Sequence, residues 1–265
     1  MTEEHDADPY AAIAGVYDFS YADFTEDIDF YENLAQAVDG PLLELGAGSG
    51  RVAIPLAQAG YAVVGIDTSP SMLDAGRRTL SSTKLPRKGK LELLQADMTD
   101  FDLGRRFGLV FIAANTFQHL VTMRAQAACL ACVARHLAPG GVFAMSVRSP
   151  ASVSWDEAGA PAPLLLDWTR RDDETGDLVM KYVAAHPDPA RMVRQLTYVY
   201  DRVRQDGSVQ RSVFLTELKH STEAELTLLL QQAGLRVTHV YGDYDLSPVG
   251  QGDQLIFVAR PEAVR

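Results

Sequence analysis

The sequence predicts an α/β fold: a mostly parallel sheet with helices on both faces and an antiparallel β insertion before the last helix. Three observations carry that expectation. Short apolar runs alternate with amphipathic stretches from residue 42 to 147 and again from 222 to 259. The first run, Leu42-Leu43-Glu44-Leu45, breaks into glycines at alternate positions, Gly46, Gly48 and Gly50. Between residues 164 and 219 the pattern changes to longer alternating segments without a helical period.

In order, Pro9 to Ser20 and Glu26 to Val38 read as two short helices, the second with Ile28, Tyr31, Leu34, Ala35 and Val38 on one face. The strand Leu42 to Leu45 leads through the glycine turn into a helix from Gly50 to Gln58, ended by Gly60. Residues without Cβ let the backbone approach a ligand closely, and the free N–H groups of the following helix face it. A second strand ends at Asp67, and Ser69-Pro70 starts the next helix with Pro at its first position. Further strands are expected at Leu91 to Gln95, Leu109 to Ala113 and, after the Pro139-Gly140-Gly141 turn, Val142 to Val147. An Ala-rich helix from Met123 to Leu137 lies between the last two; its Cys129 and Cys132 read as buried helix-face residues, not a redox or zinc pair. Residues 151 to 163 read as a loop, and Asp206-Gly207 as the turn of a hairpin within the 164–219 region. That region is an insertion rather than an independent domain, since so few residues without cysteines or metal ligands make a thin core. Thr222 and Glu225 form a capping box for a helix through Gln232, which Gly234 closes; Leu235 to Tyr241 and Gln254 to Ala259 are the last strands.

At 265 residues the chain can bury a sizeable core as one α/β domain. The acidic N-terminus lacks a signal peptide's character and no apolar run spans a bilayer, so a cytoplasmic protein without membrane partners is expected. The formal net charge is −11, and twelve acidic residues but no Lys or Arg precede Arg51. This argues against a nucleic-acid partner. It favours a neutral or cationic small substrate if the segment overlies the site, and otherwise reads as a solvated face. The histidines at 5, 136, 186, 220 and 239 are scattered, so no metal centre is expected.

Two ligand classes use such a glycine turn with an acid ending the second strand. The dinucleotide fingerprint requires a third glycine where this chain has Arg51. The spacing Glu44-x-Gly46-x-Gly48-x-Gly50 instead resembles the first motif of class I S-adenosylmethionine-dependent methyltransferases. Asp67, Ala96-Asp97-Met98, Asn115 to His119 and Ala138-Pro139-Gly140-Gly141 match that family in order. Val16-Tyr17-Asp18, the stretch Asp97 to Phe107 and His119-Leu120 are similar to small-molecule, amino-sugar type N-methyltransferases.

The resemblance implies a Rossmann-like seven-stranded sheet closed by a reversed hairpin. It implies an N-terminal helical lid over 1–40, a cofactor-binding core over 41–150 and 221–265, and the insertion at 151–220 as either acceptor roof or homodimer interface. S-adenosylmethionine is the implied cofactor, held by Tyr17, Glu44, Gly46, Ala47, Gly48, Gly50, Asp67, Thr68, Met72, Asp97, Met98 and Asn115. The implied partner is a small-molecule methyl acceptor with an amine or hydroxyl. His119 is expected to orient or deprotonate it, or only to fix its loop by one hydrogen bond; Tyr17 closes over the sulfonium or packs the lid. Topology adds Arg148, Tyr241, Tyr244 and Asp245 as acceptor-side positions, and among the tyrosines that recur in the first segment, Tyr10, Tyr17 and Tyr21, which read as core-edge packing or ligand lining, Tyr21 is a further acceptor-side candidate. The alternatives are a cofactor-binding scaffold without methyl transfer and, on the glycine turn alone, an NAD-dependent oxidoreductase.

Overall fold

The computed structural model describes residues 8–155 and 162–262; the N-terminal residues 1–7 with His5, the 156–161 part of the expected loop, and 263–265 lie outside them. In chain order the first elements are α1 (Glu26–Gln36), β1 (Leu42–Leu45), α2 (Ala53–Gln58), β2 (Ala62–Asp67), α3 (Pro70–Ser82), β3 (Lys90–Gln95), β4 (Phe107–Ile112), α4 (Met123–His136) and β5 (Leu137–Arg148). The insertion follows as β6 (Leu165–Arg171), β7 (Leu178–Asp188), β8 (Val193–Val203) and β9 (Val209–Lys219). The chain closes with α5 (Glu223–Gln232), β10 (Leu235–Tyr241) and β11 (Gln254–Pro261).

Seven strands form one sheet in the order β3-β2-β1-β4-β5-β11-β10. β11 runs antiparallel to both β5 and β10, while the other neighbouring pairs are parallel. β1 and β4 are buried along their whole length because helices cover both faces. On one face α1 and α2 bring Tyr31 and Leu56 against Leu42, Leu109 and Phe111. On the other, α4 and α5 bring Leu130, Val133, Leu226 and Leu230 against Val110, Phe143 and Phe257. Cys129 and Cys132 are free thiols within that second layer. The insertion is a separate four-stranded antiparallel sheet, β6-β7-β8-β9.

Local chemistry sets the element ends. Ser69 caps α3 by accepting from the Met72 N–H at 3.1 Å, with Pro70 at the first helical position. Thr222 and Glu225 form the capping box of α5.

Three expectations are corrected. Pro9 to Ser20 is not an α-helix: residues 9–16 are a run of turns, followed by a 3-10 helix at Tyr17–Tyr21. The spacing of Tyr10, Ile13 and Tyr17 is helical, but those side chains pack on Tyr200 and Phe214 of the insertion, and that surface bends the chain. α2 begins at Ala53 rather than Gly50, since the positive φ of Gly48 and Gly50 keeps the preceding backbone out of the helix. Pro139-Gly140-Gly141 lies inside β5: Phe107 pairs with Leu137 and Leu109 with Val142, so the extra residues are absorbed as an irregularity. No helix among the described residues is long and apolar enough to cross a membrane.

Candidate active site

The ends of β1, β2 and β4 open onto a cavity of about 280 Å³ whose lining includes Gly46, Gly48, Asp67, Thr68 and Met72. Gly46 and Gly48 have φ of 71° and 54°, and a Cβ on Gly46 would stand 2.2 Å from Thr116 Cγ2. One on Gly48 would approach Met72 Cε to 3.2 Å. The floor is therefore open only because it carries no side chains. Asp67 joins the two walls: Oδ2 accepts from the Gly48 N–H and Oδ1 from the Ser69 N–H, each at 2.8 Å. Burial and these hydrogen bonds act in opposite directions on this carboxyl, and burial prevails, raising its pKa. Ala96 and Met98 supply an apolar wall. A backbone cradle, a carboxylate that can accept from a diol and an apolar slot suit an adenosine bearing a charged tail.

A smaller chamber of about 110 Å³ adjoins this cavity and shares Tyr10, Tyr17, His119, Phe214 and Thr216 with it. Its other walls include Tyr21, Asn115, Lys181, Tyr198 and Tyr200. They come from the N-terminal segment, the turn after β4, and one face of β7, β8 and β9. His119 stands between them: Nδ1 lies 3.0 Å from Thr216 Oγ1 and Nε2 lies 3.3 Å from the Tyr10 hydroxyl. Burial pulls its pKa down to about 4, so the ring is neutral near pH 7. Burial also pushes the Tyr10, Tyr17 and Tyr198 phenols up. Lys181 Nζ is 2.9 Å from Asp167 and lies over the Tyr198 ring.

Among the residues expected from the sequence, Tyr17, Gly46, Gly48, Asp67, Thr68, Met72, Met98 and His119 line the larger cavity, and Asn115 and Tyr21 the chamber. Ala47 and Gly50 are buried in the turn. Glu44 is buried beneath it, its Oε2 without a partner, and burial drives its pKa well above the carboxylate range. Asp97 is exposed beside the cavity, where Oδ1 accepts from Thr99 N–H and hydroxyl. The structure does not bring the other acceptor-side positions to the chamber. Arg148 pairs with Asp253 at 3.1 Å. Tyr241, Tyr244 and Asp245 line a separate cavity beside α1. Of the insertion aromatics, Tyr198 and Tyr200 face the chamber and Trp168 packs edge-on to Tyr200, whereas Tyr182 pairs with Val199 on the alternate face.

Several residues at this site escape sequence reasoning. Phe214 and Thr216 could be suspected only from β9 alternation, which names a face without saying what it meets, and Tyr10, recurring with Tyr17 and Tyr21 among small residues, reads equally as packing or as ligand lining. Gln118 is buried and holds the His119 turn in place: Nε2 donates to Lys219 O at 3.0 Å and Oε1 accepts from Arg148 N–H at 3.1 Å. Arg51 reaches back to α1, donating to both carboxylate oxygens of the fully buried Asp27 and lying over the Tyr21 ring. Ser49 donates to Asp18 at 2.5 Å. The glycine turn is thus tied to the N-terminal segment at Asp18 and to α1 at Asp27.

A reversed hairpin at one edge of a doubly wound sheet, with a side-chain-free cradle beside Asp67, gives the chain a Rossmann-like fold, and its similarities to known proteins make it an S-adenosylmethionine-dependent methyltransferase. Residues 42–141 match the family described as a methyltransferase domain. The chain is similar to the cypemycin N-terminal methyltransferase of a Streptomyces species, at 29% identity over 78% of this chain and 77% of that protein. It is also similar to the dTDP-3-amino-3,4,6-trideoxy-alpha-D-glucopyranose N,N-dimethyltransferase of Streptomyces venezuelae, at 29% identity over 83% and 82%. Among solved structures, the CcbJ methyltransferase from Streptomyces caelestis superposes with a TM-score of 0.71 at 28% identity, covering 90% of this chain and 89% of that one.

Proposed function

We propose that the chain methylates an amine nitrogen on a small molecule whose reacting end enters the tyrosine chamber. The observation that carries this is the chamber's lining. Its ionisable groups are tyrosines, a neutral His119 and Lys181, with no carboxylate among the described residues. A ring whose conjugate acid has a pKa of about 4 is a poor base for a hydroxyl. The acceptor must then be nucleophilic without first losing a proton, as an unprotonated amine is. The relatives named as an N-terminal methyltransferase and an amino-sugar N,N-dimethyltransferase point the same way.

In this reading Gly46 and Gly48 hold the cofactor's methionine end, Asp67 its ribose, and Met72, Ala96 and Met98 flank the adenine. S-adenosylmethionine supplies a methyl group already activated on a sulfonium. The chain's part is alignment and exclusion of water, and alignment alone supplies ~7 to 11 kcal/mol of barrier reduction. Tyr17 lines both spaces and closes the junction between them. His119, held by Thr216 and Tyr10, orients rather than deprotonates.

The test is a matched panel: an amino sugar, its hydroxyl analogue, and a peptide with a free N-terminal amine, each incubated with S-adenosylmethionine. The expected products are S-adenosylhomocysteine and a methylated amine. Turnover of the hydroxyl member in preference to the amines would overturn the assignment.

A further inference from the structure

The N-terminal segment forms one wall of the glycine-turn cavity through Pro9, Tyr10 and Tyr17, while Asp8 is not among the lining residues. Asp8 instead ties that wall to the start of α3. Its Oδ2 accepts from the Ser69 hydroxyl at 2.8 Å and from the Ser71 N–H at 2.9 Å, and its Oδ1 accepts from the Tyr10 N–H at 3.0 Å. The Ser71 N–H belongs to the first turn of α3, whose donors have no partner within the helix and favour an anion. Burial acts to raise the Asp8 pKa, but the hydrogen bonds prevail and hold it below the ordinary value, so the group is charged near pH 7. Ser69 is shared between two acids: its N–H donates to Asp67 at 2.8 Å and its hydroxyl to Asp8. Tyr10, held at its N–H by Asp8, brings its hydroxyl to 3.3 Å from His119 Nε2. The rest of the segment rests on apolar contacts of Tyr10, Ile13 and Tyr17 with Tyr200 and Phe214, and on Asp18 with Ser49.

We propose that Asp8 is a positioning residue for the cofactor: it latches residues 9–17 to the start of α3, and S-adenosylmethionine or its product leaves the cavity only when that latch opens. The inference concerns the cofactor side alone and holds whichever atom of the acceptor is methylated. Asp8 acts through Pro9 and Tyr10, which it brings to the cavity without entering it. Asp8 and Asp67 also repel one another across Ser69. Ribose hydroxyls donating to Asp67 spread its charge and ease that repulsion, so a bound cofactor tightens the latch. Tightening carries Tyr10 toward His119, which links a filled cofactor cavity to an ordered chamber.

The experiment uses the full chain as wild type, D8A and D8N with tritiated S-adenosylmethionine and no acceptor. Bound label is chased with excess unlabelled S-adenosylhomocysteine to give the release rate, and association is measured separately. D8A is expected to release label about ten-fold faster with an association rate within about two-fold of wild type, as for contacts that form after entry. D8N keeps a side-chain oxygen without the charge and should fall between the two. Hydrogen exchange gives a readout without turnover. S-adenosylhomocysteine should slow the amides of Ile13, Val16 and Tyr17, which donate within the turns, in wild type but not in D8A, while those of β1 and β4 stay alike in both. A D8A release rate within about two-fold of wild type, an affinity loss carried by slower association, or faster exchange that spreads into β1 and β4 would overturn the proposal.

Discussion

Gly46 must be glycine for two independent reasons, a φ of 71° and the 2.2 Å approach of Thr116 Cγ2 to where a Cβ would stand. Gly46→Ala should therefore displace the turn and weaken S-adenosylmethionine binding about ten-fold or more by calorimetry. Adding Thr116→Ser removes the clashing methyl but not the φ strain, so only part of the loss should return. His119 leads to a pH prediction. Its folded pKa of about 4 lies below the ordinary 6.5, so between these values the unfolded chain binds more protons. The stability it contributes is fully present above pH 6.5 and is lost as pH falls through 4, up to about 3 kcal/mol. In urea unfolding, the advantage of wild type over His119→Gln should shrink across that window; a constant difference would contradict a neutral buried ring.

Among the elements, the tie between α1 and the glycine turn is the most exacting. Arg51 contacts a fully buried Asp27, and removing one partner leaves the other charge uncompensated. Arg51→Ala should cost about 3–5 kcal/mol in urea unfolding, and Arg51→Met with Asp27→Leu should recover most of it. In sequence, Arg51 was informative only as an absent third glycine; its partner lies 24 residues earlier, and no local pattern links them. The capped starts of α3 and α5 and the Asp206-Gly207 turn were legible because their determinants lie within a few residues. The 9–16 turns and the irregularity in β5 were not, because packing against distant strands overrides the local period there.

In the molecule as a whole, the chamber exists only where residues 10–21, 114–119 and 181–218 converge. Gln118 ties the middle segment to the end of β9. Tyr198 lines the chamber but not the glycine-turn cavity and stacks on Phe214 at an interplanar angle of 12°. Tyr198→Ala should therefore weaken acceptor binding about ten-fold, as expected for losing a buried aromatic face, and leave S-adenosylmethionine affinity unchanged. Equal losses for both ligands would mean that the two spaces act as one site.

By itself the sequence determined the α/β class, the seven core strands and the glycine turn with Asp67; Arg51 in place of a third glycine, Asp97 and the closing strand pair then selected the cofactor through the family they resemble. Each of these is written in short-range patterns: apolar runs, caps, and glycines where a backbone must approach a ligand. Only the tertiary structure decided that Tyr10 and Thr216 meet His119, that Phe214 packs on Tyr10, that Tyr241 and Tyr244 face elsewhere, and that Asn115 Oδ1 is left without a partner. The physical reason is that burial and pairing depend on which distant surfaces meet, and alternation along a strand names a face without naming its neighbour.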